Sequence, residues 1–195
     1  MNTRIYTRVI PLALVAVVAT QLQGCAAIVV GGVATGAAVA TDRRTAGVFV
    51  SDKEIALRAT NRLREAFPQK TDNINVTSYN RQVLVTGQVP DEDTRARATE
   101  VIQGIPDVRT VFNELVISGV TSLTSDANDV SITSKVKARM LRANDVPGTK
   151  IKVVTEAGVV YLMGLVSEAE AQSATEIART TAGVSKVVTL FEYID

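Results

Sequence analysis

The chain holds one cysteine and no histidine among its 195 residues, and these two counts bound its chemistry. A Ser-His-Asp or Cys-His nucleophile system needs an imidazole, most structural zinc sites draw on His or several Cys, and an intrachain disulfide needs a second thiol. Carboxylates are plentiful, yet Asp91, Glu92 and Asp93 stand where helix capping accounts for them. No carboxylate pair is set by the internal repeat at a shared cleft. The expectation is a chain with no catalytic residues, no metal site and no cofactor.

The single thiol, Cys25, ends the stretch Leu22-Gln23-Gly24-Cys25. Before it come a basic start with Arg4 and Arg8, an apolar run from Val9 to Ala19, and a small residue at a potential cleavage point. These are the three parts of a secretory signal. The apolar run is too short to span about 30 Å of hydrocarbon, so it is not a transmembrane helix. LQGC resembles the bacterial lipobox, whose cysteine thiol takes a diacylglycerol before cleavage exposes an amino group for a further acyl chain. Several acyl chains, at about 0.8 kcal/mol per buried methylene, anchor a protein without spanning the bilayer. A buried core thiol is the competing reading. By resemblance to enterobacterial lipoproteins, Ala26 after the cysteine implies export to the outer membrane.

Residues 1–24 are therefore expected to be a lipoprotein signal peptide and residues 25–49 a lipidated N-terminus and flexible tether. The Gly32-xxx-Gly36 spacing within that segment suits a helix contact, but its small, Gly-rich composition favours the tether. Removing Arg4 and Arg8 from 21 Lys+Arg leaves 19 against 20 Asp+Glu, a formal charge of −1 for a chain starting at Cys25. That balance argues against nucleic acid as a partner.

The remainder overlays on itself. Ile55, Ala59 and Leu63 fall on Ile132, Val136 and Met140, a shift of 77 residues, and the same shift places "INVTSYNRQVLVTGQV" on "IKVVTEAGVVYLMGLV". Each copy begins with a helical stripe, with Ser51 or Asp52 expected as N-cap in the first copy and Asp129 in the second. A hairpin follows, turning at Asn80-Arg81 or at Glu156-Ala157-Gly158. A second helix opens at Asp91, or at Ser167 with Glu170 in a capping box, and a β-branched strand closes the unit. The fold class is α+β: two tandem α-β-β-α-β domains, each a three-stranded mixed sheet covered by two helices. The expected bounds are 50–118 and 128–195, with 119–127 as linker. Gly87 and Gly164, inside strands, are expected to let the second helix approach the sheet, with a ligand groove as the other reading.

The lipobox followed by this repeat, with the words "ATDRRTAG", "VLVTGQ", "DANDVSITSKVKARML" and "VVTEAGVVYLMGLVSEAEA", resembles the dual BON-domain outer-membrane lipoproteins of the DolP (YraP) family. The resemblance covers nearly the whole chain. It implies a non-enzymatic lipoprotein with palmitate among its acyl groups, on the periplasmic leaflet of the outer membrane. It further implies support of envelope integrity, gathering at division sites, and binding of anionic phospholipid through the second BON domain.

The first helix of that domain gives the candidate phospholipid-binding residues: Val130, Ser131, Ile132, Lys135, Arg139 and Arg142. With Ile132, Val136 and Met140 set towards the core, Ser131, Lys135, Ala138 and Arg142 form an outer face flanked by Lys137 and Arg139. Each cation near an anionic surface contributes about 1 kcal/mol. Relatives can carry a bulky aromatic where this chain has Ser131. The competing reading is a solvated charged face, and the first repeat carries its own basic set in Lys53, Arg58, Arg62 and Arg64. An alternative function is a periplasmic scaffold that docks an envelope or cell-wall protein partner on the sheet. Tyr161, Met163 and Leu165 alternate with Val160, Leu162 and Val166, so both faces of that strand are apolar, which also fits packing of one domain on the other.

Overall fold

The computed structural model describes residues 42–68, 73–118 and 126–195. The expected signal peptide, Cys25 and most of the tether lie outside the described residues. Residues 42–195 form one compact unit.

The first repeat runs α1 (Ala46–Ala66), β1 (Ile74–Tyr79), β2 (Gln82–Val89), α2 (Glu92–Gln103) and β3 (Thr110–Ile117). The second runs α3 (Asp126–Arg142), β4 (Lys152–Glu156), β5 (Val159–Val166), α4 (Glu168–Arg179) and β6 (Lys186–Tyr193). In each sheet the middle strand pairs antiparallel with its hairpin partner and parallel with the last strand, in the orders β1-β2-β3 and β4-β5-β6. The parallel pairing follows from the helix that connects the strands, since such a crossover returns the chain in the same direction. The architecture is the expected pair of α-β-β-α-β units.

Each unit closes its own core. Ile55, Ala59 and Leu63 from α1 meet Val83, Val85 and Val89 from β2 and Ala98 and Ile102 from α2. In the second unit Ile132, Val136 and Met140 meet Val160, Leu162 and Val166 with Ala171, Ala174 and Ala178. The small residues on α2 and α4 let those helices lie close to the sheet. The opposite sheet faces, which a single domain would leave wet, form a third cluster: Tyr79 and Leu84 pack with Tyr161, Met163 and Leu190. This domain-on-domain contact accounts for the two apolar faces of β5. Burial, with smaller contributions from Glu114 and Glu156, pushes the Tyr161 phenol up to about 12.

Two sequence expectations change here, that of how the first helices begin and that of the strand glycines. The α1 helix starts at Ala46 on an N-cap Thr45, whose hydroxyl accepts from Val48 N, so residues 46–49 of the expected tether are helical. Likewise α3 starts at Asp126, inside the expected linker. Asp52 and Asp129 are not N-caps but buried carboxylates within their helices. The two residues of each hairpin turn have positive φ, Asn80 and Arg81 in one, Ala157 and Gly158 in the other, and this aims both their N–H groups at the helix. Asp52 accepts from Asn80 N and Arg81 N at 2.7 Å each. Asp129 accepts from Ala157 N at 2.7 Å and Gly158 N at 2.9 Å. One carboxylate per repeat thus locks the first helix to the hairpin it covers, through charge-assisted bonds to turn amides that the hairpin itself leaves without a partner.

The second change concerns the strand glycines. Gly87 has φ +119, and a Cβ there would stand 1.7 Å from the Asn73 carbonyl oxygen. The close approach is to the backbone leading into β1, not to a helix. Gly164 is at ordinary contact distance from its neighbours, 3.4 Å from Lys150 O, and no strain requires glycine there.

Candidate functional site

The segment Asp42-Arg43-Arg44 precedes α1 and is tied to both repeats. Arg43 makes a bidentate pair with Glu170 at 2.6 and 2.7 Å and also donates to Leu165 O at 2.7 Å. Glu170 is at the same time the acidic member of the capping box with Ser167. The Arg43 guanidinium holds the Glu170 carboxyl down at about 2. Arg44 reaches the other way, donating to Asp42 at 2.6 Å and to Asp52 at 2.7 Å. Its guanidinium lies 4.0 Å from the Tyr79 ring centre and 5.0 Å from that of Phe49. Three consecutive residues therefore pin the entry of the chain against the first hairpin and the N-terminus of α4. The sequence signal was the word "ATDRRTAG", which periodicity alone assigns to the tether because its partners are distant in the chain.

The expected lipid-contact helix, α3, divides into a buried stripe and two flanks. Ile132 is fully buried with Val136 and Met140, so it leaves the candidate set: its side chain fills the core and reaches no membrane surface. Arg139 is half-buried and donates to Ile177 O at 2.8 Å, Thr181 Oγ1 at 2.7 Å and Thr180 Oγ1 at 3.0 Å. It fastens α3 to the C-terminal end of α4, where a cation also meets the negative end of the helix dipole. Lys135 and Arg142 are exposed on one flank, with Ser131 and Ala138 partly exposed beside them. The other flank carries Val130, 67% exposed, and Leu141, 60% exposed, with Lys137 between them. The apolar companion of Val130 is Leu141 rather than Ile132. Its position one residue past the core residue Met140, off the i, i+4 stripe, was the signal available in the sequence.

Cations on the first helices of the two repeats have different company. On α1, Arg58 pairs with Glu54, Arg62 donates to Gly104 O at 2.9 Å, and Lys53 sits over the Phe49 ring. On α3, no carboxylate among the described residues pairs with Lys135, Lys137 or Arg142. The apolar strand face offered to a docking partner is occupied by the other domain, which leaves the sheet edges for that role.

The chain matches the family model described as "BON domain" twice, over residues 51–119 and 128–195. It is 38% identical over 175 residues to Outer membrane lipoprotein DolP of Haemophilus influenzae, spanning 89% of this chain and 91% of that one. It is 34% identical to the 21 kDa hemolysin of Actinobacillus pleuropneumoniae, over 78% of this chain and 79% of the other. Osmotically-inducible protein Y of Escherichia coli is 31% identical over 72% of each.

Proposed function

From the premise that this chain belongs to the BON-domain family, as a two-domain member of the DolP type, we propose that it is a non-enzymatic outer-membrane lipoprotein whose α3 helix touches anionic phospholipid. Acylation of Cys25 anchors the chain on the periplasmic leaflet, and the second BON domain adds a reversible electrostatic contact there. Its role is to support envelope integrity at division sites. The name of the Haemophilus relative, an outer-membrane lipoprotein, supports the location.

The observation that carries the lipid contact is the pair Lys135 and Arg142, exposed on α3 with no carboxylate partner among the described residues. Charges already paired in the fold gain little from a membrane; unpaired ones gain about 1 kcal/mol each at an anionic surface. The test is binding of residues 42–195, a compact unit with two closed cores, to phosphatidylglycerol vesicles. Lys135→Gln with Arg142→Gln should weaken binding about thirtyfold, and raising salt should weaken the parent alike. Binding that ignores both changes would refute the contact.

A further inference from the structure

A cleft of about 580 Å³ opens between the two domains, walled by α1 and β1 on one side and by α3, the 148–151 loop and the start of β4 on the other. Four lysines line it: Lys53 from α1, Lys137 from α3, and Lys150 and Lys152 from the loop and β4. With Arg44 they make five cations against two lining carboxylates, Asp42 and Asp52, for a formal excess of three positive charges. Both carboxylates are already bonded to Arg44. Among the described residues no carboxylate is in ion-pair contact with any of the four lysines.

These charges converge on one another. Desolvation by the cleft walls, then the charges of Lys137, Arg44 and Lys53, lower the Lys152 ammonium from its ordinary value. The arrangement is held by packing: Gly148 lies so close to α3 that a Cβ would stand 2.8 Å from the Met140 carbonyl carbon, which sets the loop bearing Lys150 against Leu141 and Lys137. Tyr79 Oη donates to Lys150 O at 3.1 Å and ties the same loop to the first domain. An open cleft that gathers like charges gains when an anion neutralises them, and it concentrates counter-ions of opposite sign.

We propose that this cleft is a binding site for a phosphate-bearing anion, built jointly by the two domains. The four lysines carry ammonium groups, point charges of a kind that binds phosphate, and several of them together suit a group whose charge is spread over several oxygens. Leu141, exposed beside them, offers apolar contact to a group attached to the phosphoester. The shared chemistry is that of a soluble phosphoester or of a phospholipid headgroup. The site is separate from the outward flank of α3, since Lys137 and Lys135 project from opposite sides of that helix, with the buried Val136 between them.

The experiment titrates residues 42–195, followed by amide NMR, with inorganic phosphate, with glycerophosphoglycerol, and with phosphatidylglycerol vesicles against phosphatidylcholine vesicles. Each probe is tested on the parent, on Lys137→Gln with Lys152→Gln, and on Lys135→Gln with Arg142→Gln, which removes the same charge from the outward flank. Soluble-probe binding that falls at least tenfold in the cleft variant but not in the flank variant establishes a site for a free phosphoester. Binding seen only with phosphatidylglycerol vesicles, and lost in the cleft variant, establishes a headgroup site. Equal binding by parent and cleft variant, or no binding of any probe by the parent, overturns the proposal. The substituted lysines are in no ion pair, and an unchanged NMR spectrum outside the cleft confirms that the variant is folded. Failure of the flank variant alone to alter vesicle binding would refute the α3 contact and leave the cleft standing.

Discussion

In the first BON domain Asp52 serves four donors: the Asn80 and Arg81 amides, the Ser78 hydroxyl at 2.8 Å and the Arg44 guanidinium. In the second, Asp129 stands 77 residues on in the same place and receives the Ala157 and Gly158 amides. The strand glycines differ in the same sense, with Gly87 at positive φ and crowded against Asn73 and Gly164 neither. Both domains share one helix-to-hairpin lock, but the first has been built into a junction that also receives the incoming chain. The second keeps the lock and leaves Lys135, Lys137 and Arg142 of its first helix without a carboxylate partner among the described residues. Duplication thus supplied two copies of a scaffold, and the difference between them separates a domain that organises the chain entry from one whose charges are available to a ligand.

The sharpest way to break this comparison is to remove the two locks. Asp52→Ala removes one of the two carboxylate partners of Arg44 and the acceptor of two turn amides and the Ser78 hydroxyl, and should cost on the order of 3 kcal/mol, because each donor left without a partner adds to the loss. Asp129→Ala should cost about 2 kcal/mol, the penalty for orphaned amides. Denaturant unfolding of residues 42–195 measures both, and equal losses would show that the Arg44 junction adds nothing. The glycines come next. Gly87→Ala must accommodate both a left-handed φ and a backbone collision, and should lose about 3 kcal/mol. Gly164→Ala should change stability by less than about 1 kcal/mol. Hydrogen exchange resolved by domain would place the Gly87 effect in the first.

The smallest effect concerns how the entry segment is held to the second domain. Glu170 has its folded pKa depressed from 4.5 to about 2. The stability it contributes is therefore fully present above its unfolded pKa and is lost as pH falls from about 4.5 towards 2. Both partners are about one-fifth exposed, so solvent screening keeps the contribution modest. Acid titration of the unfolding midpoint should show this loss in the parent and a flatter curve in Arg43→Ala. Identical slopes would remove Arg43 as the cause.

Much of this fold was legible residue by residue. The Ile55-Ala59-Leu63 stripe and its copy at Ile132-Val136-Met140 are periodic on a scale of four residues, and the Ser167–Glu170 capping box is complete within one helical turn. Such signals are local, and local geometry produced what they implied. Asp52 was misread because an Asp near a helix start has the composition of a cap, while its true partners lie 28 and 29 residues away in the turn. Ile132 could be set aside from the stripe alone, since a residue committed to the core has no surface left for a membrane. Arg139 could not, because its acceptors belong to the end of α4.

By itself, then, the sequence determined the repeat, the order of strands and helices, the core residues of each unit and the exclusion of imidazole and disulfide chemistry. All of these follow from composition or from contacts close along the chain. Only the tertiary structure decided which cations are spent and which are free, that the two sheets cover each other, and that Lys53, Lys137, Lys150 and Lys152 face one cleft. Whether a charge is paired depends on the groups that folding brings within a few ångströms of it. Those groups come from both domains, at separations that no local pattern records.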